Sequence, residues 1–172
     1  ATATTVVLAG SDISIIAVIR DIAAEGQIGL VLAVWGLGSL IGGLLYGALH
    51  RPISAFWLLA GLAAATFPMA LASSTVQLAA SGFVAGLLCA PTITATIDQA
   101  SRIVPAQVRG EAMGWHGSFM PTGGAVGAPW AGLALDRGGP GAGFVVVAAV
   151  GVVVAALGLT AVSVRRATAS AT

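Results

Sequence analysis

The sequence predicts an all-α membrane protein, a bundle of six transmembrane helices, and three observations predict it. Hydrophobic residues make up 58% of the chain and charged residues 8%, whereas a soluble domain carries about 25% charged residues. The apolar residues fall in long blocks, each close to the roughly 20 residues a helix needs to cross the hydrocarbon core. Stretches such as "FVVVAAVGVVVAALGL" show none of the apolar/polar alternation of a transmembrane β-strand. Because a lipid-exposed backbone must satisfy its own hydrogen bonds, helices are then the remaining choice.

The first span, residues 3 to 20, holds Thr4, Thr5, Ser11, Asp12 and Ser14, and ends at "RDIAAEGQ". The second, 27 to 49, reads "WGLGSLIGGLLYGALHR" toward its end. Gly38 with Gly42 and Gly43 with Gly47 stand at small-xxx-small spacing, which lets helix backbones approach closely. The third, 52 to 73, has no ionisable residue, and Pro68 interrupts it. The fourth, 76 to 98, holds Thr92, Thr94, Thr96 and Asp98 and is followed at once by Gln99. Thr92, Thr96 and Gln99 make one helical stripe, and Thr94, Asp98 and Arg102 make a second. The fifth, 112 to 135, repeats the glycine pattern with Gly123, Gly127 and Gly132; the sixth, 142 to 164, is again free of ionisable residues. Pro68, Pro91, Pro121 and Pro129 each remove a backbone donor, so the carbonyls of Ala64, Leu87, Gly117 and Ala125 are expected to lose their usual partners.

Polarity sorts these spans. One and four are polar and are expected to face a central cleft; three and six are expected to face lipid. One corresponds to four and two to five, as in a three-plus-three internal repeat. Thr5, Asp12, Trp35, Thr92, Thr96 and Gln99 are the candidate substrate or proton contacts. Trp35 serves equally as a core side chain, and the hydroxyls equally as donors to their own helices. The glycines, with Pro129, are candidate packing positions. Asp98 with Arg102 reads as a local ion pair or a gate, and Arg109 as a loop anchor. Asp12 lies roughly 13 Å of helix rise into the first span, near mid-depth, where leaving a charge costs several kcal/mol. Such an acid is a candidate to take up and release a proton or to meet a cationic substrate, the alternative being a neutral acid hydrogen-bonded to a neighbouring helix.

All seven basic residues are arginine. Arg51, Arg102, Arg109, Arg165 and Arg166 gather on one side, against Arg20 and Arg137 on the other. The positive-inside rule makes the first side cytoplasmic, with both chain ends there, and suits a multi-pass protein of an inner or plasma membrane. A net charge of +1 with no basic patch gives no reason to expect nucleic acid. His50 and His116 stand apart and Cys89 is the single cysteine, so neither a metal site nor a nucleophilic triad is read here, no cofactor is called for, and an enzyme is not expected. Nothing resembles the charged ring or carbonyl filter of a channel.

The order of six spans, the "GLGSLIGGLLYGALHRP" closing the second, "RGEAMG" at residues 109 to 114, "GGAVGAPWAG" within the fifth and "LDRGGPGAGF" leaving it together resemble the C-terminal half of a major facilitator superfamily transporter, most closely the bacterial drug-efflux or sugar-efflux type. The resemblance covers essentially the whole chain as a single domain, 1–172. Arg109 and Gly110 match the family's Arg-Gly step. The family's charged loop motif fits less well: Tyr46 stands at its acid position counted from Gly42, and Arg51 is what is left of its basic end. In the exporter-type glycine pattern, Gly123, Gly127 and Gly132 match, while Ala128 displaces the proline to Pro129 and Leu133 replaces the last glycine. The resemblance implies a twelve-helix carrier of two bundles that alternate in access and move a small drug-like or sugar-like solute, as a proton-coupled efflux antiporter. It also implies an N-terminal six-helix half as partner. The chain opens on Ala1 and enters its first span almost at once, so it is expected to be a domain cut from such a carrier. A truncated, non-transporting membrane fragment with a packing role is the other reading.

Overall fold

The computed structural model describes residues 2–21, 25–49 and 53–169. Among them lie six α-helices: α1 (Thr2–Asp21), α2 (Ile28–Ala48), α3 (Ala55–Thr66), α4 (Thr75–Ile103), α5 (Arg109–Gly138) and α6 (Ala142–Ala169). No strand occurs among the described residues. Four helices, α1, α2, α4 and the Ala142–Val164 part of α6, are both long and apolar enough to cross a membrane. α3 with the 3₁₀ turn that continues it, Ala55–Leu71, is apolar but shorter. α5 has the length, at 30 residues, but it carries Arg109, Glu111, Asp136 and Arg137 near its ends and two prolines inside.

The apolar blocks locate the helices and understate their ends. α4 runs five residues beyond its apolar stretch, to Ile103, because its polar last turns stay helical and Arg102 reaches back to Asp98. Its start is capped as its sequence suggests. The Ser74 hydroxyl accepts from the Gln77 N–H at 3.3 Å while the Gln77 side chain accepts from the Ser73 N–H at 3.0 Å, a near relative of the capping box. Pro68 ends α3 as a regular helix but leaves no orphan carbonyl at Ala64. The chain tightens into the 3₁₀ segment Phe67–Leu71, and the Phe67 N–H turns to Ala64 O, so Ala64 loses its i+4 donor as expected and accepts at i+3 spacing instead. Between α5 and α6 the backbone reverses at Gly139, with φ +82° and its N–H bonded to Leu135 O at 3.0 Å. A side chain there would be strained.

The most extensive helix contact is α2 on α4, followed by α1 on α5, and then α3 on α6, α3 on α4 and α1 on α6. Exchanging the first three helices for the last three maps α1–α5 onto α4–α2 and α1–α6 onto α4–α3, and leaves α3–α6 in place, which is the contact pattern of an internal repeat. Val7, Ile15 and Ile19 of α1, Leu59 and Leu62 of α3, and Phe144 of α6 fill the core between them. Burial differs from the polarity sorting in one respect. α3 and α6 share a buried seam, while the outermost helices of this bundle are α2, which buries only Val31, Gly38 and Gly42, and α5, which buries only Gly123, Gly127 and Ala131. Each of those two lays a glycine-bearing face on its partner and leaves large apolar side chains outward, among them Leu37, Leu40, Leu44, Trp115 and Trp130.

Candidate functional site

The α1–α4 seam carries the chain's mid-span acid. Asp12 is half-buried, and its Oδ1 is enclosed with no hydrogen-bond partner. Across the seam, buried Cys89 of α4 lies beside Ser39 of α2 and within electrostatic reach of Asp12. Ser39 and Cys89 thus pair a hydroxyl and a thiol between α2 and α4, with the Asp12 carboxyl of α1 within electrostatic reach. An enclosed carboxylate oxygen without a donor is costly.

The threonines do something different from lining a cleft. Thr92 is fully buried and donates to Leu88 O at 2.6 Å; Thr96 donates to Ile93 O at 2.7 Å, and Thr5 to Thr2 O at 2.9 Å. Ser11 and Ser14 likewise donate to the carbonyls of Val7 and Gly10. Each such hydroxyl spends its proton on its own helix, as Ser and Thr do in apolar surroundings, and keeps acceptor capacity only. Thr92 is thus buried and bonded to its own helix, the second of the two readings of these hydroxyls. Thr96 and Gln99 instead border a pocket inside one end of the bundle, together with Thr4 and His116. Trp35 is half-buried against the core, and its carbonyl faces Gly86 of α4.

The glycines divide. Gly38 lies against the Phe83 carbonyl and Gly42 against the Leu87 carbonyl, the very carbonyl that Pro91 deprives of its usual donor. A Cα–H of glycine is a weak partner for such an oxygen. On the other side of the molecule Gly123 meets Thr5 and the Thr2 carbonyl, and a Cβ at Gly127 would stand 2.6 Å from Val6 O. Gly43 approaches only the Ala90 methyl. Gly47 and Gly132 have nothing within reach of a Cβ, so they take no part in packing within this bundle, and Pro129 is exposed. Spacing marked all of these equally; the phase of the helix decides which meet a neighbour. Sequence reasoning passed over Gly86, which returns the α2 contact from the α4 side and stands four residues after Gly82, a legible signal. It also left Cys89 without a partner, where the structure sets it beside Ser39.

Arg102 Nε donates to Asp98 Oδ2 at 2.8 Å on the surface of α4's last turns, the local i, i+4 pair of the two readings. Arg109 is exposed at the first residue of α5. Arg51 lies outside the described residues. Exposed Trp115 stacks loosely on Phe119, ring centres 6.1 Å apart, as an interfacial aromatic does.

Six helices whose contacts repeat in threes, four of them long and apolar enough to cross a membrane, suit a membrane carrier. The profile of the Major Facilitator Superfamily matches residues 2–172. This chain belongs to the major facilitator superfamily. No curated protein matches it. As a superfamily member it is a membrane-embedded transporter of small solutes, not an enzyme. Among the described residues no group of His, Cys, Asp and Glu is placed to hold a metal ion.

Proposed function

We propose that this chain is the C-terminal six-helix half of a twelve-helix carrier of the bacterial efflux type, exporting a drug-like or sugar-like solute in exchange for protons. Asp12 is the proton-carrying group, and the observation that supports this is its enclosed, unpartnered carboxyl oxygen at mid-span. When the carrier opens to one side, water or a cationic solute reaches Asp12; when it opens to the other, the acid exchanges its proton there. Trp35 and Thr5 stand on the helices flanking this seam, with Ser39 and Cys89 as its polar neighbours. All six helices span the inner or plasma membrane, with Arg102 and Arg109 on the cytoplasmic side and both chain ends with them. The outward apolar faces of α2 and α5 suit an N-terminal six-helix half as partner, since a central cleft needs a second bundle to close it. Arg51, Asp98, Arg102 and Arg109 fall at the cytoplasmic gate in this reading.

The test is Asp12→Asn in the intact carrier reconstituted in liposomes. It keeps the side chain's size and removes its titration. Accumulation driven by an imposed pH gradient is expected to fall at least tenfold, while exchange of solute down its own gradient continues. Unchanged pH-driven accumulation in a folded Asp12→Asn carrier would reduce Asp12 to helix packing.

A further inference from the structure

At one end of the bundle the start of α3 and the last turns of α4 and α6 border two hollows that share Ser54 and Val162. The inner one, about 300 Å³, reaches α4, where Asp98, Gln99 and Arg102 line it. The outer one, about 400 Å³, lies on the α3–α6 face beside Trp57, Leu159, Thr160 and Ser163. Together they make one groove that runs from a charged pair to an apolar helix face.

The polar groups of this groove are accessible and incompletely used. The Arg102 side chain is 64% exposed and gives only its Nε to Asp98 Oδ2, so both terminal nitrogens keep their donors. An exposed pair of this kind holds its partners weakly. The Ser54 hydroxyl makes no cap bond to α3 and is free to donate. Thr160 and Ser163 donate to the carbonyls of Leu157 and Thr160 and keep acceptor capacity only. Exposed Trp57 stands three residues after Ser54, where an interfacial aromatic meets the head-group region.

Charge selects the occupant. In the sequence Arg51 stands three residues before Ser54, and Arg165 and Arg166 stand two and three after Ser163. With Arg102, four of the seven arginines are thus on the lining or within three residues of it in the chain. Among the described residues Asp98 is the one acid on the groove. Basic pockets between helix ends at a membrane surface take anionic lipid head groups.

We infer that this groove binds one phosphatidylglycerol-type lipid, an anionic phosphodiester whose head carries hydroxyls. Its phosphate accepts from Arg102 and Ser54, its head-group hydroxyls donate to Thr160 and Ser163, and its acyl chains leave along Trp57 and Leu159. A zwitterionic head would add a cation where arginine is already in excess, and a soluble phosphate would leave the apolar face unused. The inference rests on the reading that these ends of α3, α4 and α6 lie at the membrane surface. It needs neither Asp12 nor a direction of transport.

The experiment equilibrates the intact carrier with equal amounts of phosphatidylglycerol and phosphatidylethanolamine of matched acyl chains, and counts retained lipid by native mass spectrometry. Phosphatidylglycerol is expected to be retained at least fivefold over phosphatidylethanolamine. Arg102→Gln is expected to reduce that preference at least fivefold and Ser54→Ala at least twofold, while Arg137→Gln, at the other end of the bundle, leaves it unchanged. Melting temperatures check that each variant is folded, and if Arg102→Gln is not, Ser54→Ala against Arg137→Gln decides. Equal retention of the two lipids, the same loss in Arg137→Gln, an unchanged preference in the folded deciding variant, or full competition by soluble glycerol phosphate overturns the proposal. The readout is bound lipid and not transport, so its failure is distinct from failure of the Asp12→Asn test.

Discussion

The contacts of α2 on α4 and of α1 on α5 occupy equivalent places in the repeat, and they are built differently. On α2–α4 small residues stand on both sides. Gly38 and Gly42 admit the carbonyls of Phe83 and Leu87, and Gly86 admits the carbonyl of Trp35 in return. Backbone meets backbone, and one of those oxygens is the one Pro91 left without its donor. On α1–α5 the closest glycines are Gly123 and Gly127 of α5, which receive the Thr5 side chain with the Thr2 carbonyl and the Val6 backbone, while Gly10 of α1 lies against Val147 of α6 and the Ala131 methyl of α5. Without a hydrophobic drive between helices in lipid, association depends on how many close atomic contacts form. The two-sided seam makes more of them and is the more extensive of the two. The same residue type at the same spacing therefore gives one seam with close glycine–backbone contacts from both helices and one that also admits the Thr5 side chain, and the acid-bearing helix α1 is on the second.

Breaking the tighter seam has the largest expected effect. Gly42→Ala puts a methyl onto the Leu87 backbone, which cannot yield locally. Overpacking of this kind costs about 1–3 kcal/mol, and the upper end is expected in a thermal or denaturant unfolding measurement of the intact carrier. Gly127→Ala, facing the Val6 backbone, is expected to cost about 2 kcal/mol by the same measurement. In addition it displaces α1, so Asp12-dependent transport should fall more than it does in an equally destabilised α2–α4 variant. Equal transport in the two at matched stability would erase the functional distinction between the two seams. The smallest effect is expected at Gly47 and Gly132, which share the spacing but have open space where a Cβ would go. Alanine there should shift stability by no more than about 0.5 kcal/mol, or raise it slightly through helix propensity. A loss at Gly47 comparable to that at Gly42 would mean that spacing and not contact carries the stability.

Much of this protein was legible as written. The apolar blocks placed every helix to within a few residues at the starts, since burying or lipidating an unsatisfied backbone is costly wherever the chain is apolar. The pairing of spans one with four and two with five came from polarity and glycine content, and the contact pattern carries the same division. Superfamily membership was readable from glycines, prolines and an Arg-Gly step in order, because those residues serve backbone geometry, which the linear order preserves. Asp12 stood out because a mid-span acid is rare in apolar sequence. The remainder needed three dimensions. Whether Gly42 or Gly47 meets a neighbour depends on helix rotation, which a repeat of small residues leaves open. Whether Thr92 lines a cleft or bonds Leu88 depends on a rotamer and on what stands opposite. That Thr4 and His116, more than a hundred residues apart, come to border one pocket depends on how α1 and α5 cross. Sequence by itself determined which segments leave water, because that free energy is a sum over residues; the tertiary structure alone decided which side chains face one another, because contact depends on the relative placement of helices that the chain joins only at their ends.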